Sequence, residues 1–227
     1  MTPSADELTT VAATLWGALA GLLLPRPAYR LSVEPGQPWR PARGWAGVGP
    51  GAGKLAGVTG GACAGVAVVT GARPELGAWL VLVPVGVLLA TVDFAVHRLP
   101  DVLTFPFAGL ALAALGVAAL LPEPGGSWRG AVLGAVGLGG GYLVLLLIHP
   151  KGMGFGDVKL ALGLGAALGW YGWGVLFIGA FAGVLFNGLY ALVLVVARRA
   201  GRKSEIPFGP FMILGAYAGV LLGALAA

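Results

Sequence analysis

Two aspartates stand where a carboxylate is costly. Asp93 lies in the apolar run from Leu76 and Asp157 opens the apolar run that follows Gly154-Phe-Gly156. A charged side chain within a membrane-length apolar segment is expensive and marks a functional candidate. Each has a bland alternative: Asp157 as a helix cap, Asp93 as a side chain reaching toward His97 or Arg98. Asp93 comes 17 residues after Leu76, about 26 Å along a helix at 1.5 Å per residue. If the two helices run in opposite directions, both carboxylates fall at one depth. Such a pair cannot ionise fully at low cost, so one carboxyl stays protonated as general acid and the other acts as general base. That chemistry activates water for peptide hydrolysis.

The elements that must position them are membrane spans. Of 227 residues, 58% are apolar and 10% charged, against roughly a quarter charged in a soluble domain; the mean hydropathy is +0.90. Uncharged windows able to cross about 30 Å of hydrocarbon occur at 8–25, 55–72, 76–92, 102–122, 130–148, 160–197 and 206–227. The sixth, 38 residues long, divides at Gly169-Trp-Tyr-Gly-Trp-Gly174, where glycines permit a turn and tryptophans suit an interface. The expected fold is therefore all-α, a polytopic bundle of about eight transmembrane helices in a single domain over residues 1–227. Ser4-Ala-Asp-Glu7 reads as a capping box for the first helix, and its acidic flank, with no basic stretch before it, predicts a retained helix and not a cleaved signal.

With eight spans the connecting loops alternate sides. One set carries Arg26, Arg30, Arg40, Arg43, Lys54, Arg98, Lys151, Lys159, Arg198, Arg199, Arg202 and Lys203; the other carries Arg73 and Arg129. This 12-to-2 division predicts that the first set, and with it both aspartates, faces the cytoplasm. The net charge of +5 is thus a topology signal, with no nucleic-acid partner implied, and the expected environment is a lipid bilayer. The lone Cys63 excludes a disulfide framework and a CxxC metal site. Neither a metal nor an organic cofactor is expected. Trp16, Trp79, Trp170 and Trp173 read as interface anchors.

Thr91-Val-Asp93-Phe-Ala-Val-His-Arg-Leu-Pro100-Asp101-Val-Leu-Thr104 resembles the first aspartate motif of the type IV prepilin peptidases, membrane aspartic proteases that remove leader peptides from pilins and pseudopilins. Gly154-Phe-Gly156-Asp157-Val-Lys159-Leu resembles their second, the GxGD motif. Lys203-Ser-Glu-Ile-Pro207-Phe208-Gly209-Pro210 is similar to the segment before the family's last helix, and Gly21-Leu-Leu-Leu-Pro-Arg-Pro-Ala-Tyr29-Arg30 to its opening span. The resemblance implies Asp93 and Asp157 as the catalytic pair. It implies Gly154, Gly156, Lys159, Pro207 and Gly209 around the substrate; Asp101, read from its position after Pro100, is expected simply to cap the fourth helix. Asp157, at a helix start beside Lys159, is expected to be the base and Asp93 the acid. The implied partners are prepilin or pseudopilin leader peptides, and the implied location is the bacterial cytoplasmic membrane with the site near its cytoplasmic face.

Family members that also methylate the new terminus carry a cysteine-rich insertion after the first helix. Here residues 26–54 form a short cytoplasmic loop in its place, without cysteine. A thiolate zinc site needs four ligands, so a peptidase without methyl transfer is expected. Two other readings use the same residues: a proton-coupled transporter with the aspartates as relay, and a non-catalytic subunit of a pilus or secretion assembly.

Overall fold

The computed structural model describes residues 4–33, 37–41, 51–150, 153–197 and 206–227. Nine helices and no strand are found among them: α1 (Ala5–Leu23), α2 (Pro25–Leu31), α3 (Ala52–Thr70), α4 (Leu76–Val96), α5 (Asp101–Ala118), α6 (Trp128–Ile148), α7 (Phe155–Trp170), α8 (Trp173–Val196) and α9 (Gly209–Ala226). The polytopic bundle expected from hydropathy is present, and each of the eight expected helices has its counterpart.

Local chemistry sets the boundaries. The capping box forms as read: the Ser4 hydroxyl accepts the Glu7 N–H at 3.2 Å and the Glu7 carboxylate accepts the Ser4 N–H at 2.8 Å. Pro25 cannot donate to the preceding turn, and the chain restarts there as α2, bent 41° from α1. The expected loop over 26–54 is therefore helical at both edges, while residues 34–36 and 42–50 lie outside the described residues. Gly172, with φ of 105°, supplies the reversal between α7 and α8 that only glycine adopts without strain.

Six helices are long and apolar enough to cross a membrane, and the bent α1–α2 pair makes a seventh. The eighth, α7, differs from the other spans. Its 16 residues extend about 24 Å, short of a full crossing, and from Asp157 to Trp170 all but Leu162 are buried. It packs against α5, α6, α8 and α9, so protein and not lipid satisfies its surroundings. Glycines bring α6 close to α7: a Cβ on Gly134 would strike the Gly165 carbonyl, and one on Gly130 the Gly169 carbonyl. The conspicuously exposed helix is α8, whose Phe177, Phe181, Leu185, Leu189 and Leu192 form an apolar outer face.

Alternation of the helices gathers the α4–α5 link and the starts of α7 and α9 at one end of the bundle. The opposite end is tied by a polar cluster. Arg73 Nη2 donates to the Ala224 carbonyl at 2.7 Å, and the fully buried Glu75 accepts the Gly125 N–H at 3.1 Å while lying 3.9 Å from Arg73. Trp79 stacks on Tyr171 there, 5.9 Å between ring centroids, with its N–H 3.3 Å from the tyrosine hydroxyl. Trp79 and Trp170 are thus buried residues of the core and not interface anchors, whereas Trp16 and Trp173 are exposed as expected.

Candidate active site

Asp93 occupies the last turn of α4, and α4 ends three residues later, at Val96, because His97 turns into the left-handed region at φ 49°. That reversal carries the chain through Leu99 and Pro100 into α5. Asp93 is buried, and its Oδ2 accepts the backbone N–H of Gly209, the first residue of α9, at 3.1 Å. The carboxylate therefore engages the last helix, not His97 or Arg98.

Asp157 is the third residue of α7, whose N-cap is Gly154. Its Oδ2 accepts the Gly154 N–H at 3.1 Å. Glycine has no side chain to return the bond, so this is half of a capping box, and the remaining carboxylate oxygen is left for other partners. Asp157 is buried, and its charge acts on Asp93 across the site. Two carboxylates from helices distant in sequence thus lie at the same end of the bundle, on either side of Leu99, each held through one oxygen by one backbone donor.

The neighbouring residues hold this geometry in different ways. Leu99 fills the space beside both glycines: a Cβ on Gly156 would lie 2.9 Å from Leu99 Cβ, and one on Gly209 would lie 3.2 Å from Leu99 Cδ1 and 2.7 Å from Asp93 Oδ2. The Pro207 carbonyl accepts from Asn187 Nδ2 of α8 at 3.4 Å. Residues 203–205, the start of the third motif, lie outside the described residues, as do Arg43, Lys151, Arg198, Arg199 and Arg202 of the cationic loops.

Lys159 turns away from Asp157. Side chains at i and i+2 of a helix do not face each other, and Lys159 Nζ instead meets Asp101 Oδ1 at 2.5 Å, between the rings of Phe105 and Phe155 at 5.0 and 4.5 Å. Asp101 is the first residue of α5, after an N-cap at Pro100, and it joins α5 to α7 in place of the capping role expected of it. The contrast expected between Asp157 and Asp93 therefore draws nothing from Lys159.

Sequence reading passed over Tyr142 of α6, which is buried and stacks on Phe208, ring centroids 6.0 Å apart. A tyrosine well inside an apolar span, away from the interface belt, was the available signal. Beside Asp93 an apolar cavity of about 550 Å³ opens between α3, α4 and α9, reaching Thr91, Phe94, Pro210 and Phe211. Among the described residues no three of His, Cys, Asp and Glu gather where they could share a metal ion.

Comparison with known proteins bears on the same residues. The model of the type IV leader peptidase family matches residues 80–197, just over half of the chain and inclusive of both aspartates. Over 154 residues the chain is 34% identical to a prepilin leader peptidase/N-methyltransferase of Aeromonas salmonicida, covering 63% of this chain and 48% of that one. A protein of the same name from Pseudomonas aeruginosa is 32% identical over 152 residues, 66% of this chain and 50% of the other. One from Burkholderia pseudomallei is 37% identical over 149 residues, 60% and 43%. The chain spans about half the length of the curated relatives it matches. No solved structure matches.

Proposed function

The chain belongs to the type IV leader peptidase family, and from that membership we propose that it is a membrane aspartic endopeptidase that removes the leader from prepilin or pseudopilin-like substrates. The observation that carries the reading is the placement of Asp93 and Asp157, both buried, at the same end of the bundle, each anchored by a single backbone N–H.

One carboxylate takes a proton from a water molecule as the water oxygen attacks the scissile carbonyl carbon, and the carbonyl π pair moves onto its oxygen. The other carboxyl then gives its proton to the amide nitrogen. The C–N bond breaks and the carbonyl re-forms, leaving a carboxylic acid and an amine. Gly154, Gly156, Pro207 and Gly209 form the backbone floor against which the substrate chain is laid, and the apolar cavity beside Asp93 suits the hydrophobic stretch of such a substrate. Lys159 serves this floor through Asp101, joining the starts of α5 and α7.

The 12-to-2 cation division favours a cytoplasmic site in a bacterial inner membrane. A proton relay is less well supported, because the core between the dyad and the Glu75 cluster is apolar, as at Leu82, Leu89 and Ala111. Methyl transfer is not part of the proposal, since Cys63 is buried in α3 and the chain has no other cysteine.

The test is cleavage of a prepilin by the purified chain, followed by mass spectrometry. Asp93→Asn and Asp157→Asn should each abolish cleavage while inserting normally, because an amide keeps the size but cannot complete an acid and base pair. Near wild-type cleavage by either variant would overturn the aspartic mechanism.

A further inference from the structure

Tyr142 is placed level with Asp157 by the packing of two helices. The contacts Gly130–Gly169, Gly134–Gly165 and Gly139–Leu162 fix an antiparallel register between α6 and α7. Continued one turn, that register sets Tyr142 opposite Asp157 and Val158. The ring is buried at 7% exposure and held at 29° to Phe208. Phe208 is the N-cap residue immediately before Gly209, whose N–H binds Asp93. Tyr142 therefore sits between the elements that carry the two carboxylates, and the charge of Asp157 reaches its hydroxyl.

The hydroxyl itself has no hydrogen-bond partner among the described residues. A phenol in a protein interior normally finds one; this one is six residues inside the end of α6, and its oxygen is not among the fully enclosed polar atoms left without a partner. Peptide hydrolysis at a carboxylate pair needs what the pair cannot provide: a neutral donor for the carbonyl oxygen as negative charge grows on it. Carboxylates repel that charge, and the backbone N–H groups of Gly154 and Gly209 are already engaged by Asp157 and Asp93.

We propose that Tyr142 is a third catalytic side chain, its hydroxyl donating a hydrogen bond to the scissile carbonyl oxygen as water adds to the carbonyl. No proton leaves the tyrosine in this step; the bond strengthens as the oxyanion forms and relaxes when the carbonyl is restored. The proposal rests on the aspartic peptidase reading of the same site.

Tyr142→Phe removes the hydroxyl and keeps the ring against Phe208. In the full chain, with a prepilin that the unaltered protein cleaves, kcat should fall about a hundredfold, the scale of losing one oxyanion donor, with KM within about twofold and the melting midpoint unchanged. The pH profile of kcat should keep its shape, since the hydroxyl supplies no titrating proton. Tyr142→Leu, which also loses the stack, should melt earlier. A Tyr142→Phe variant with kcat within twofold of wild type, or one impaired in KM alone, would overturn the role. Asp93→Asn run in parallel separates the two readings. If it is dead while Tyr142→Phe is fully active, the tyrosine proposal alone fails; if it cleaves, the dyad reading itself falls.

Discussion

The backbone N–H of Gly209 donates to Asp93 Oδ2 across 116 residues of sequence, joining the end of α4 to the start of α9 at 3.1 Å. That bond exists only because residue 209 has no Cβ, which would lie 2.7 Å from the same oxygen. Gly209→Ala should force the carboxylate to rotate and break the bond. The expected result is at least a tenfold loss of kcat with insertion intact. Gly140→Ala, whose new methyl meets open space, should cleave at the wild-type rate. Equal activity in the two variants would show that the Gly209 contact does not orient Asp93.

Glu75 makes a separate demand on the fold. Its carboxylate is fully buried, 3.9 Å from Arg73, and accepts the Gly125 N–H at 3.1 and 3.2 Å. Glu75→Ala would orphan that N–H and leave Arg73 without its carboxylate. Truncating one member of a buried polar set costs about 3 kcal/mol, or roughly 5–10 °C in melting midpoint for a chain of this size. Because the cluster lies at the end opposite Asp93, the protein that remains folded should cleave at the wild-type rate. Thermal unfolding in detergent, paired with cleavage by the folded fraction, measures both. A normal melting point would mean that the cluster does not fasten that end of the bundle.

Hydropathy located seven apolar windows, and the glycines around Gly172 marked the turn that divides the 38-residue one into the short α7 and the long α8. The common depth of Asp93 and Asp157 was also legible, because helix direction and length set it. Their partners were not. Nothing local in the sequence joins Gly209 to Asp93, and the rule that alternate helix residues diverge, which turns Lys159 toward Asp101, matters only once α5 lies beside α7. The burial of Glu75 depends on Gly125 closing over it from the α5–α6 link. Tyr142 was obscured for the same reason, as its level relative to Asp157 follows from glycine contacts between α6 and α7.

The placement of the two carboxylates at one end of the bundle can be tested in cells. The α4–α5 link and the start of α7 share one end of the bundle, while residues 119–127 share the other with Arg73 and Tyr171. Single cysteines at Arg98 and Met153, in a Cys63→Ala background, should resist a membrane-impermeant thiol reagent in intact cells and react once the cells are opened. Cys63 is buried, so its removal leaves the surface unchanged. A cysteine at the exposed Pro122 should label in intact cells. The expected direction follows from the cation division, which predicts that the Arg-rich and Lys-rich loops face the cytoplasm. Labelling of Arg98 and Met153 from the same side but externally would invert the orientation and place proteolysis outside the cytoplasm. Labelling of the two from opposite sides would separate Asp93 and Asp157 by a membrane thickness, and no shared water could then bridge them.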